Sequence, residues 1–304
     1  MSTLWPFGRL AQPDWCKLDK TLCNQQGTGR KRRVANRDAI EIQHEDDLLI
    51  INDVARAIEE NEFEPYVQPC FDLVARRPMV AETLARWTFP EDGTIIPAAA
   101  FIPALERTNT VCGLDWFIID SMCAFLAEQL KTLVVPPIAL NISNQHVSDE
   151  NFVKRLLATT DWRGVDPVFV SVEFGQDILA QDERLAKTLI PSLLSAGFSV
   201  IADKFNATPE ALVPLMHMGI VTVKVTPVLW RDSPVINLRA LTRAADELGI
   251  ALIAEGVETA DELKMLRHEG FLFAQGYCLA HPMNLEEYVK LCKSGAYTIK
   301  GARS

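Results

Sequence analysis

From Asp46 onward, short apolar runs rich in β-branched residues alternate with longer amphipathic stretches, and this alternation restricts the chain to parallel sheets built from repeated βα units. A helix is expected from about Asp46 to Asn61. Strands are expected at Tyr66 to Leu73, Val80 to Trp87, Ile138 to Ile142, Val168 to Phe174, Ser199 to Asp203, Val221 to Val225, Ala251 to Ala254 and Phe271 to Gln275. Amphipathic segments lie between them: Ala98 to Arg107, Leu114 to Leu133, Asn151 to Ala158, Asp182 to Ala196, Pro209 to Met216, Val235 to Leu248, Thr259 to His268 and Leu285 to Ser294. Thr259-Ala260-Asp261-Glu262 puts a capping hydroxyl and two acids at the start of one of them, as a helix N-terminus requires. Eight strands with interleaved helices over roughly 250 residues predict a closed α/β barrel of the (β/α)8 TIM type. Only the turn Val74 to Pro78 joins the first two strands. It is too short for a crossover, so they must run antiparallel and the barrel is irregular at its start.

Before about residue 44 the alternation is absent. Residues 1–43, with Gly, Pro, Gln and the basic run Arg30 to Arg33, read as a flexible basic N-terminal extension. Residues 44–297 read as the barrel domain and 298–304 as a C-terminal tail. Residues 1–40 hold eight basic and three acidic residues in a chain of net charge −10, which leaves an acidic body. Such a body argues against broad nucleic-acid binding, which depends on Lys and Arg displacing counterions. No apolar run reaches the roughly 18 residues of a membrane span and no secretory leader is evident, so a cytoplasmic location is expected. The seven cysteines are scattered, with no zinc-like spacing, and read as reduced structural thiols. The five histidines are widely spaced, and packing or surface roles suffice for them.

In a barrel of this kind chemistry belongs to the C-terminal rim. Polar residues ending apolar strands there are Glu82, Asn141, Glu173, Asp203, Lys224 and Glu255, with Glu258 just beyond. Carboxylates and an amide oxygen converging on one rim are hard ligands for Mg²⁺, Mn²⁺ or Ca²⁺, and an adjacent Lys and Glu could orient or deprotonate water. The set points to metal-assisted hydrolysis of a phosphate ester. No Gly-rich phosphate loop, Cys-His cluster or Ser-His-Asp spacing competes with it.

Several ordered motifs resemble the bacterial EAL-domain family of cyclic di-GMP phosphodiesterases, from about Ile50 to Leu291. Tyr66-Val67-Gln68-Pro69 resembles the family's first strand, and Glu82-Thr83-Leu84-Ala85-Arg86-Trp87 its Glu-Ala-Leu signature with the following Arg-Trp. Phe101-Ile102-Pro103 with Glu106 and Leu114-Asp115, then Leu140-Asn141-Ile142-Ser143, follow in order. Ala254-Glu255-Gly256-Val257-Glu258-Thr259, Gln275-Gly276-Tyr277 and Pro282-Met283 are the most specific. The resemblance implies a Mg or Mn ion held by Glu82, Asn141, Glu173 and Asp203, with Lys224 and Glu255 handling the hydrolytic water. It also implies dinucleotide contacts from Gln68, Arg86, Gln275 and Tyr277.

The chain departs from the family at four places. The paired acids of Asp-Asp-Phe-Gly are Asp203-Lys204-Phe205-Asn206, and the Gly-containing loop after them is Asn206-Ala207-Thr208-Pro209-Glu210-Ala211. A Glu three residues beyond Glu173 is Gln176, and the acid two residues beyond Lys224 is Thr226. Exchange of Asp for Lys changes the charge by two units where the second of two metal ions belongs, so one metal site is expected and the second is in doubt. The leading expectation is a degenerate regulator that binds cyclic di-GMP, a protein partner or both, with little or no hydrolysis. The alternative is a working phosphodiesterase yielding the linear dinucleotide; a barrel enzyme acting on another phosphate is the residual. The resemblance also implies a homodimer through the rim near strands five and six, where the altered stretch Asn206 to Met218 lies.

Overall fold

The computed structural model describes residues 53–294, apart from 91, 133–134, 177–178, 180–181, 183 and 232–236. The expected extension 1–43 and tail 298–304 lie outside the described residues. A short helix, α1 (53–59), leads into β1 (Phe63–Asp72) and β2 (Arg77–Thr88), which pair antiparallel from Phe63 opposite Trp87 to Asp72 opposite Arg77. Then come β3 (Ile95–Pro97), α2 (Ile102–Arg107), α3 (Val111–Gln129), β4 (Ile138–Asn141), α4 (Phe152–Arg163) and β5 (Val170–Gly175). They are followed by α5 (Ile190–Ser195), β6 (Ser199–Phe205), α6 (Leu212–His217), β7 (Thr222–Val225), α7 (Pro227–Trp230) and α8 (Leu238–Leu248). The chain ends with β8 (Ala251–Ala254), α9 (Ala260–His268), β9 (Phe273–Ala274), β10 (Met283–Asn284) and α10 (Leu285–Ser294).

Strands β2, β4, β5, β6, β7, β8 and β9 follow one another in parallel, and β1 closes the ring by pairing antiparallel with both β9 and β2. The result is the expected eight-stranded barrel with its reversed first strand. Its floor is a plug of Cys70, Val80, Ala139, Ile201 and Ile253, with Met79 and Phe273 packed against it. Outward residues such as Val172, Val200, Val223 and Leu252 are buried as well, so the strands are apolar on both faces. Each such side chain taken from water contributes about 1.5–3 kcal/mol.

The structure adds two short strands: β3 pairs antiparallel with the end of β2, and β10 with β1. Helix α4 runs past Ala158 to Arg163, because Thr159 and Thr160 turn their hydroxyls onto Arg155 O and Leu157 O and Gly164 ends the helix at φ +70°. Ahead of α5 the turn Leu185–Leu189 is π-helical. Pro191 just beyond has no N–H to continue an α-helical ladder there.

Candidate functional site

Side chains two residues apart on a strand share a face, so the floor fixes what stands above it. One step up from Cys70, Val80, Ala139, Ile201, Ile253 and Phe273 come Gln68, Glu82, Asn141, Asp203, Glu255 and Gln275. The register sets Glu173 opposite both Asn141 and Ile201, and Lys224 opposite Ile253, so these two reach into the same ring from intermediate heights. Glu255 follows β8, with its N–H bonded to Val225 O and its carbonyl accepting from Trp230 Nε1. Gln275 follows β9, its N–H on Ala254 O. Gly276 then passes so close to Val257 that a Cβ there would lie 2.2 Å from backbone atoms, at φ +154°. Only glycine permits the two loops to meet.

At the centre is Lys224, buried to 2% exposure. Its ammonium has three hydrogens, and they go to Glu82 Oε2 at 2.7 Å, Glu173 Oε2 at 3.0 Å and Glu255 Oε1 at 3.0 Å. Asp203 Oδ1 is fourth in line at 3.8 Å and is buried without a hydrogen-bond partner among the described residues. Asn141 Nδ2 donates to Glu82 Oε1 at 3.0 Å and to Thr83 O at 3.1 Å. Gln275 Nε2 donates to Glu82 Oε2 at 2.7 Å and to Gln68 Oε1 at 3.2 Å, and Gln68 Nε2 donates to Ala280 O.

One ammonium cannot balance four acids in a dry ring. Burial pushes Glu173 up to about 8 and Glu255 up to about 7, against the pull of Lys224. Glu82 is also raised by burial, but Lys224 and the amides of Asn141 and Gln275 outweigh it and hold it below the usual range. Lys224 itself loses by burial and gains more from its carboxylates, ending well above an ordinary lysine.

The altered positions cluster on one side. Between the β6–β7 pairs Ala202 to Val223 and Phe205 to Val225 the register shifts, so Asp203 and Lys204 together oppose Lys224. This is a β-bulge, and Lys204 carries it at φ +58°, the left-handed region that a lysine adopts at a cost. The Lys204 side chain is exposed and makes no hydrogen bond or ion pair among the described residues. The Asn206 N–H donates to Gln176 Oε1 at 2.9 Å, so two of the four altered residues hold each other. Thr226 precedes α7, its N–H bonded to Phe205 O and its hydroxyl buried without a partner among the described residues.

A sequence profile of the EAL domain matches residues 51–282. The chain belongs to the EAL domain family. The cyclic di-GMP phosphodiesterase PA2567 of Pseudomonas aeruginosa is 26% identical over 252 residues, which cover 79% of this chain and 42% of that protein. The probable cyclic di-GMP phosphodiesterase PdeN of Escherichia coli K12 is 28% identical over 252 residues, covering 79% and 47%. The chain thus spans less than half the length of these relatives. The PaMucR phosphodiesterase in its c-di-GMP complex superposes with TM-score 0.72 at 20% identity, covering 79% of this chain and 99% of that one. The FimX EAL domain from Pseudomonas aeruginosa bound to c-di-GMP gives 0.67 at 20% identity, covering 79% and 98%. These superpositions establish a shared fold.

On this EAL barrel Glu82, Asn141, Glu173, Asp203, Lys224, Glu255, Gln68 and Gln275 come together as one network. Arg86 and Tyr277 make no hydrogen bond to it among the described residues, though the Arg86 guanidinium lies within electrostatic reach of both Glu82 and Tyr277. Arg86, four residues beyond Glu82 on β2, lies over the Tyr66 ring at 5.5 Å and donates to Ala85 O. Tyr277 is 57% exposed and stacks on His281 with centroids 4.4 Å apart. As the side chains stand, no three acidic, His or Cys residues among those described form a ready metal cage, because the carboxylates close on Lys224. The donor chemistry nevertheless fits one hard cation. Asp203 Oδ1 lacks a partner, and Asn141 spends its amide hydrogens on Glu82 and Thr83, which leaves its oxygen to accept. Among the described residues no helix is long and apolar enough to cross a membrane.

The sequence marked Lys224 as a polar strand end and, through the resemblance, as a residue handling water, but not as the hub of the carboxylates, since Glu82 lies 142 residues away in sequence. Sequence reasoning gave His146 no special place. It is buried against Asp115, Nε2 to Oδ2 3.2 Å, and no local pattern announces that pairing.

Proposed function

We propose that this chain is a degenerate EAL regulator, which binds cyclic di-GMP, a protein partner or both and hydrolyses little or nothing. The observation that carries the reading is the bulge at Asp203-Lys204. It sets an exposed lysine next in the chain to Asp203, the one carboxylate of the ring that Lys224 leaves unbonded. The family resemblance sets a second acid at the Lys204 position, and a positive charge there opposes a second divalent ion.

The remaining residues suit recognition. Glu82, Asn141, Glu173 and Asp203 would hold one Mg²⁺ or Mn²⁺, which when bound would polarise a phosphate oxygen and acidify water. Lys224 keeps three of the ring's carboxylates in place by hydrogen bonds of 2.7–3.0 Å, so the ring is preorganised whatever the turnover. Arg86 offers a half-buried guanidinium, and the exposed Tyr277 ring offers a face on which a base can stack. Lys204 would meet a phosphate as the single charge that replaces a second cation.

The names of the relatives, cyclic di-GMP phosphodiesterases, support that ligand class. The test incubates the full chain with cyclic di-GMP and Mg²⁺ or Mn²⁺ and separates the products by chromatography, with a calorimetric titration alongside. Micromolar binding with little or no linear dinucleotide is expected. Brisk formation of the linear product would establish the working phosphodiesterase instead.

A further inference from the structure

The loop that carries Glu255 is held by α7, the single turn that follows β7, and by the residue after it. Trp230 is 5% exposed, and its Nε1 donates to Glu255 O at 3.1 Å. Arg231, next in the chain, donates from Nη2 to Gly256 O at 3.0 Å and sets its Nε 2.9 Å from Glu262 Oε1 on α9. Its guanidinium lies over the Trp230 ring, 4.9 Å from the centroid, so the two side chains brace each other. At the start of the same turn Pro227 presses on Gly256, where a Cβ would come within 2.5 Å of the proline ring, at φ +64°. Two consecutive carbonyls, those of Glu255 and Gly256, are thus taken by two consecutive side chains.

This grip bears on the centre of the ring. Lys224 has three ammonium hydrogens and four carboxylates around it. With Glu255 fixed at 3.0 Å the third hydrogen is spent there, and Asp203, at 3.8 Å, keeps its Oδ1 without a hydrogen-bond partner among the described residues. A Glu255 loop free to swing would release that hydrogen to Asp203, and the oxygen a cation needs would be occupied. Contacts to the Glu255 and Gly256 backbone therefore decide which carboxylate Lys224 bonds.

We propose that Trp230 and Arg231 are positioning residues, which hold the Glu255 backbone so that its carboxylate occupies Lys224 and Asp203 stays open to a divalent ion. The inference rests on the reading above that the ring takes one such ion. Both residues act through Glu255, and neither is asked to touch ion or nucleotide. Losing a group that orients the ligands of a metal from behind lowers its affinity by about 10–100-fold.

The experiment titrates the full chain with Mn²⁺ alone and follows the free ion by its electron paramagnetic resonance signal. Trp230→Phe, which removes the N–H and keeps a ring, and Arg231→Ala should each weaken Mn²⁺ uptake about tenfold. Glu255→Ala should weaken it as much, and adding Trp230→Phe to Glu255→Ala should cost nothing more, because the tryptophan acts only through that carboxylate. A tryptophan with a merely structural role would give losses that multiply. Undiminished affinity in the folded variants, or multiplied losses in the double variant, would overturn the proposal. Should Trp230→Phe fail to fold, Arg231→Ala, at a side chain 33% exposed, and its combination with Glu255→Ala decide in its place. If the unaltered chain takes up no Mn²⁺, the single-ion reading fails and amide hydrogen exchange decides the positioning: Glu255 to Val257 should exchange about tenfold faster in either variant, and unchanged exchange there would overturn it.

Discussion

At the scale of single residues, the barrel rim is organised by one ammonium shared among acids that could not otherwise be buried together. Removing it leaves carboxylates stranded, and breaking a buried pair from one side costs about 3–5 kcal/mol. Lys224→Met is therefore expected to lower unfolding stability by about that much at pH 8, measured by urea titration. The loss should shrink at pH 5, because Glu173 and Glu255, already pushed up to about 8 and 7, then take protons and need no partner. Lys204 poses the opposite case. Its left-handed backbone is strained in a lysine and relaxed in a glycine, so Lys204→Gly should stabilise the fold by up to about 1 kcal/mol in the same titration. Lys204→Asp should restore little turnover, because Gln176, Asn206 and the loop that follows remain altered. The acids and amides at the strand ends were readable from the sequence, since each interrupts an apolar run. The bulge was not, because lysine is a poor advertisement for positive φ.

At the scale of elements, the site depends on how loops are pinned to strand ends. Gly276→Ala would drive a methyl group into the Val257 backbone and part the loops that carry Gln275 and Glu255, at a cost of about 2 kcal/mol or more by thermal or chemical unfolding. The capping box of α9, readable as Thr259 to Glu262, is present in full, with Thr259 accepting from Glu262 N–H and the Glu262 carboxylate from Thr259 N–H. The join between α3 and the segment after β4 runs through His146 and Asp115. Burial works against a charged His146, but the Asp115 carboxylate 3.2 Å from its Nε2, with Cys112 nearby, prevails and raises it from 6.5 to about 9. A raised value means that the folded state holds a proton which the unfolded chain releases. The stabilisation is complete below about pH 6.5 and is lost as pH climbs towards 9. Denaturant midpoints should fall across that interval, and the part of the fall due to this pair should vanish in His146→Gln. Short edge strands such as β3 and β10 escaped the sequence reading because two or three residues show no periodicity.

At the scale of the whole molecule, eight apolar strands sealed by a reversed first strand give a rigid ring whose open end carries the chemistry. This much was legible, because strands buried on both faces read as continuous apolar runs and the expected turn Val74 to Pro78, which the structure shortens by giving Arg77 and Pro78 to β2, leaves no room for a crossover. What the ring does was less so. Function turns on which charges meet there, and the meeting residues come from strands far apart in sequence. On the proposed reading the barrel recognises a cyclic dinucleotide and leaves it whole. The direct test is one calorimetric titration of the full chain with cyclic di-GMP in the presence of Mn²⁺, the cell contents then being chromatographed. Saturable micromolar binding with the cyclic ligand recovered intact is the predicted result, whereas conversion to the linear dinucleotide on the timescale of the titration would contradict the account.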